Sequence, residues 1–105
     1  MFRSITLIIS ILFLSWLNPA FTSENYFDDA KKKFNEKKIQ ESKFLFQRNI
    51  VFNPKDSKSY LYLAKIFHEE KNQKEELKNL NTALLLEPEN EDAMYMLINF
   101  ELKKS

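Results

Sequence analysis

Two short segments, Phe52-Asn53-Pro54-Lys55-Asp56 and Leu86-Glu87-Pro88-Glu89-Asn90, place proline at the same point of a recurring pattern in a chain of 105 residues. Their separation, about 34 residues, is a period typical of stacked helical hairpins, in which each unit buries its apolar face only by packing on its neighbours. Laying residues 23–56 over 57–90 pairs Tyr26 with Tyr60, Ala30 with Ala64, Lys31 with Lys65, Phe46 with Leu80, Ile50 with Leu84 and Pro54 with Pro88. Large and small apolar residues thus recur in register. Glycine is absent, and the tight turns of β-hairpins usually require it. The expected fold class is therefore all-α, built of antiparallel helix-turn-helix pairs.

Helical spacing supports the same reading. Tyr60, Leu63, Ala64 and Phe67 follow the i, i+3, i+4, i+7 pattern, as do Leu77, Leu80 and Leu84 after a polar break, so each helix is expected to show one apolar face. Asn72 can cap the second of these helices, with Glu75 three positions on completing a capping box. In the first unit, helices are expected from about residue 24 to 36, using Tyr26, Phe27, Ala30 and Phe34, and from 39 to 52, using Phe46 and Ile50. Proline lacks the amide donor and disfavours helical geometry in the residue before it, so Pro54 and Pro88 end helices. Asp56 or Ser57, and then Asn90, can cap the helices beyond these stops. A last helix is expected over 92–104, but its apolar residues, from Ala93 and Met94 to Phe100 and Leu102, spread around most of its circumference. A terminal helix normally shows water a polar face, so a cover is expected: a partner protein, a second copy, or further repeats.

Residues 1–23 are of another kind. Arg3 is their only charge, residues 5–17 are an apolar run, and Asn18 with Pro19 interrupts it. A membrane span needs roughly 20 apolar residues, so the segment reads as an export signal cut between Ala20 and Ser23, leaving a domain over 24–105. The alternative is an uncleaved signal anchor that tethers the domain to the membrane. Either way the expected location is outside the cytosol, periplasmic or secreted, with a membrane-anchored form as the rival.

Together, these residues resemble the tetratricopeptide repeat, a helix-turn-helix of about 34 residues with large residues early in its first helix, small residues where the helices meet, and a closing proline. The second unit, 57–90, carries Tyr60, Leu63, Ala64, Phe67, Leu80, Ala83 and Pro88 in the matching places. The first, 23–56, keeps Tyr26, Ala30, Ser42, Phe46 and Pro54, but has Asp29 and Lys33 where large apolar residues belong and Asn49 where a small one does. Glu76 also stands at a small-residue position. Residues 91–105 read as a half unit. The resemblance implies that the first helices of successive units line a concave groove, and it puts Phe27, Lys31, Phe34, Leu61, Lys65, His68, Tyr95, Asn99 and Leu102 on it. Such a groove takes an extended or helical peptide, with Lys31 or Lys65 facing an acidic group, although lysines on helices are ordinarily solvated surface residues. The family's residue set for clamping a carboxy-terminal carboxylate is not reproduced.

Composition excludes several other functions. Removing Arg3 with the leader leaves equal numbers of basic and acidic groups, so no net field gathers nucleic acid or anionic lipid. Membrane contact is expected only if the leader is retained. The absence of cysteine rules out disulfides and thiolate metal sites. His68 has Glu69 and Glu70 beside it, but consecutive helical residues do not converge on a metal or substrate. The cluster Lys31, Lys32, Lys33, Lys37 and Lys38 is offset by Asp28, Asp29, Glu36 and Glu41. The expected function is a non-catalytic protein- or peptide-binding module in a bacterial envelope assembly, with no cofactor, no metal and no catalytic residue. A self-associating component, joined through its C-terminal helix, is the rival.

Overall fold

The computed structural model describes residues 25–104, which form five helices and, among the described residues, no strand. The helices are α1 (Phe27–Asn35), α2 (Ile39–Phe52), α3 (Ser57–Glu69), α4 (Gln73–Leu86) and α5 (Glu91–Lys104). The leader expected over residues 1–23, with its cleavage point, lies outside them. Among the described residues no helix is long and apolar enough to cross a membrane.

Each helix packs chiefly on its neighbours in sequence, most extensively α3 on α4. Hydrogen bonds between helix ends show that the pairs are antiparallel. The Tyr26 N–H, at the start of α1, donates to Asn49 Oδ1 late in α2 at 3.0 Å. In the second pair, the Ser57 hydroxyl at the start of α3 donates to Glu87 just past α4, while His68 near the end of α3 meets Glu76 near the start of α4. Ala30 and Ser42 are fully buried where α1 crosses α2, close enough that Ser42 Oγ donates to the Ala30 carbonyl at 2.8 Å.

The structure departs from the expected single apolar face per helix, because α3 buries two. Leu63, Ile66 and Phe67 join Ala30 and Phe46 in a cluster against α1 and α2, whereas Leu61 and Ala64 join Leu80, Ala83 and Ala93 in a second cluster against α4 and α5. A helix flanked on both sides loses most of its polar stripe, and α3 is accordingly the most apolar of the four paired helices. Phe46, fully buried, contributes roughly 2–3 kcal/mol by the area it removes from water.

The caps follow the sequence in part. Asn72 Oδ1 accepts the Glu75 N–H at 3.3 Å, and Asn90 Oδ1 accepts the Ala93 N–H at 3.1 Å. The return half of the capping box is replaced, because the Asn72 N–H donates to the Phe67 carbonyl. Asp56 occupies the N-cap of α3 without capping it through its side chain; its Oδ2 accepts from Ser59 Oγ at 2.7 Å and from Asn49 Nδ2 at 3.0 Å.

The two helix pairs turn in the same way. Lys37 and Lys71 both take positive φ, 66° and 60°, and the amides of Lys37 and Lys38, like those of Lys71 and Asn72, return to the carbonyls three and five residues earlier. This is the Schellman closure, a place where glycine avoids the steric penalty a Cβ incurs. Lys71→Gly is therefore expected to raise stability by about 0.5–1 kcal/mol relative to the unaltered chain. Urea unfolding followed by circular dichroism checks this, with Lys71→Ala as the comparison; a glycine variant no more stable than the alanine one contradicts it.

Candidate binding groove

The turn between α4 and α5, together with the exposed edges of α1 and α3, borders an open hollow of about 450 Å³. On α3, Lys58, Leu61, Tyr62 and Lys65 follow helical spacing and share the face that borders it; α1 supplies Phe27 and Lys31. Glu87, Glu89, Glu91 and Asp92 add four carboxylates to the lining. The lining thus gathers three lysines and four carboxylates around the carbon of Phe27, Leu61 and Tyr62.

Tyr62 is packed against the first helix pair. Its ring stacks on Phe46 with centroids 4.9 Å apart, and Phe34 and Phe27 meet it edge-on at 5.1 and 5.8 Å. Such aromatic pairs add about 0.5–1.5 kcal/mol each beyond the area they bury, so one side chain on α3 ties both helices of the first pair to the second. The Lys65 ammonium lies 5.1 Å from the Tyr62 ring centroid, which steadies a long side chain that would otherwise sweep freely. Lys31 and Lys58 are exposed.

Of the nine residues the sequence assigns to a groove, Phe27, Lys31, Leu61 and Lys65 are brought together here. Leu61 presents only its edge, since it is 5 % exposed and belongs mainly to the core beneath. Phe34 lies under the groove, against Tyr62. His68 and Asn99 line a different and larger cavity of 790 Å³, shared with Lys71, Glu76, Met96 and Phe100 at the far end of α3 and α5. Tyr95 borders a third hollow, with Pro88, Met94 and Ile98. Leu102 is exposed on α5. The expected groove residues thus border three hollows among the described residues, two of which adjoin through Glu89, Asn90 and Glu91. Tyr62 and the four carboxylates escape the sequence reading; the spacing of Lys58, Leu61, Tyr62 and Lys65, and the run of carboxylates from Glu87 to Asp92, are the signals that carry them.

His68 has a structural part. Its Nδ1 is 2.9 Å from Glu76 Oε2, the distance at which an Nδ1–H donates to a carboxylate, and the Glu76 side chain is only 5 % exposed against 46 % for His68. Glu76 fits at a small-residue position because its carboxylate runs out along the helix crossing to reach the imidazole. Among the described residues no cluster of three His, Asp or Glu side chains is placed to hold a metal ion.

Neither a protein-family model nor a curated protein matches the chain.

The unequal burial of His68 and Glu76 makes a prediction. Removing His68 strands a buried carboxylate, whereas removing Glu76 frees an imidazole that water already reaches. His68→Ala is expected to cost about 1–2 kcal/mol, and Glu76→Ala distinctly less. Chemical unfolding of the two variants decides it, and a larger loss for Glu76→Ala contradicts the assignment.

Proposed function

We propose that the chain is a non-catalytic, tetratricopeptide-like binding module that acts outside the cytosol and holds a peptide or protein segment in the groove between α1, α3 and the α4–α5 turn. The observation that carries this reading is the groove's lining: lysines of α1 and α3 and carboxylates after α4 gathered around Phe27 and Tyr62, whose rings are packed on each other. Apolar surfaces supply affinity by excluding water from an anchoring side chain, while flanking charges select register and orientation.

The export signal read from residues 1–23 favours the envelope or the exterior as the module's location. Helix pairs that repeat at about 34 residues favour a short solenoid of two units and a half. Binding by surface complementarity needs no catalytic residue. The side chains lining the groove are lysines, carboxylates, aromatics, leucine and asparagine, a set suited to recognising an amphipathic segment that carries an acidic group beside an apolar anchor and a basic group further along.

Selection of displayed random peptides on the full chain tests the reading. The expected result is recovery of sequences with an acidic residue next to an apolar one, and loss of at least about tenfold in their affinity on Lys31→Glu with Lys65→Glu, equivalent to about 1.4 kcal/mol. Tyr95→Ala, at a residue outside the lining of this groove, is expected to leave the affinity unchanged. Peptides without a shared pattern, or binding that survives the charge reversal, refute it.

A further inference from the structure

The last turns of α5, the close of α3 and the start of α4 border an open hollow of about 790 Å³. Met96, Asn99, Phe100, Lys103 and Lys104 recur at i, i+3, i+4, i+7 and i+8, so a single face of α5 lines it. That face begins at Ala93, three residues before Met96, which is fully buried with Leu80 and Ala83 of α4. Lys71, from the turn between α3 and α4, adds a third lysine, and Glu76 is the one carboxylate of the lining. Glu76 already faces a partner, because its Oε2 is 2.9 Å from His68 Nδ1. Among the described residues no ion pair engages Lys71, Lys103 or Lys104. Three ammonium groups thus surround the carbon of Met96 and Phe100 with one engaged carboxylate beside them, an imbalance that the groove at Lys31 does not have. Helix dipoles account for lysines near the ends of α3 and α5, but not for both ends opening on one apolar hollow.

We propose that this hollow takes a single-chain amphipathic anion of the fatty-acid type, its hydrocarbon chain against Met96 and Phe100 and its head group among Lys71, Lys103 and Lys104. Met96 and Phe100 are only partly buried, so each still offers apolar surface, and the unbranched thioether of methionine adapts readily to a flexible chain. The Lys104 ammonium lies 5.6 Å from the Phe100 ring centroid, which sets charge and carbon side by side as they are in such a ligand. The hollow falls within the range of roughly 300–1,000 Å³ typical of small-ligand sites. A neutral ligand leaves the lysines unanswered. A peptide of comparable size presses backbone N–H and C=O groups against Met96 and Phe100, which offer them no partner. Exposed lysines each contribute modestly, so binding is weak, with a dissociation constant of about 1 mM for a short chain. None of these residues lines the groove of Lys31 and Lys65, and the proposal stands or falls independently of what that groove binds.

Methionine reports on this site directly, because the chain has three: Met96 lines the hollow, Met94 is exposed outside its lining, and Met1 begins the leader. With carbon-13 in the methionine methyl groups of the full chain, titration with octanoate is expected to shift the Met96 signal, identified through Met96→Leu, and to leave those of Met1 and Met94 in place. Lys71→Gln, Lys103→Gln and Lys104→Gln together should weaken binding about tenfold. Octanol and acetate, which keep only the chain or only the head group, are each expected to bind at least about tenfold more weakly than octanoate. Silence of Met96 throughout the titration overturns the inference, as do equal shifts of Met1 or Met94, which mark indiscriminate association with apolar surface. So does octanol binding as tightly as octanoate, or a triple variant that binds like the unaltered chain. A capped peptide of alternating leucine and glutamate that shifts Met96 where octanoate does not overturns it in favour of an acidic peptide.

Discussion

The arrangement of the first helix pair on the second depends on one buried amide. Asn49 is fully buried in α2 and reaches three other parts of the chain. Its Oδ1 accepts from the Tyr26 N–H at 3.0 Å and from Asn53 Nδ2 at 3.1 Å; its Nδ2 donates to Ser59 Oγ at 2.8 Å and to Asp56 Oδ2 at 3.0 Å. Ser59, also fully buried, donates its own hydroxyl to Asp56. A neutral amide can use both donors and its acceptor at once, and here it does. Each partner is at least partly buried, so the network is favourable only while complete. It fixes the entry to α1, the end of α2 and the start of α3 relative to one another, and apolar packing, which has no direction of its own, then has a single geometry to fill.

From that junction the groove follows. With α1 held against α3, Phe27 and Phe34 close on Tyr62, Tyr62 stacks on Phe46, and Lys65 is steadied over the Tyr62 ring. The carboxylates of the lining come from around the turn after α4, whose position is set from the other side of α3 by Leu61, Ala64, Leu80 and Ala83. A helix buried on two faces therefore positions the lining from both sides. Ion pairing elsewhere adds little: Lys33 with Glu41 and Lys38 with Glu36 are water-accessible contacts at 3.3 and 3.5 Å, of a kind worth at most about 1 kcal/mol. Lys43, less exposed, is better held, bridging α2 to Glu70 while lying over Phe67.

Much of the fold is legible in the sequence where a local rule is strong. The span of α2, the stop at Pro54 and Pro88, and the caps at Asn72 and Asn90 follow from spacing, proline chemistry and capping, all of which act over a few residues. Other features depend on tertiary context. Asn49 reads as a departure from a small-residue position, because no sequence rule links it to Tyr26 or Ser59. Lysine at two left-handed turns is invisible to a search for glycine. Helix α5 carries apolar residues all round, so its sequence does not say which side faces inward. Burial of Ala93 decides it and leaves Tyr95, two residues on and nearly opposite, exposed.

The central claim is that the groove lined by Lys31, Tyr62 and Lys65 is the surface that holds a partner segment. The most direct measurement places a photo-activated cross-linking residue at Lys31, in the groove lining, and in a second chain at Val51, exposed on α2, in cells that produce the protein. The account predicts that the Lys31 position forms covalent adducts with one defined segment of a partner, that Lys65→Glu in the same chain abolishes them, and that the Val51 position gives none. Adducts of equal yield and identity from both positions, or adducts indifferent to Lys65→Glu, would contradict it.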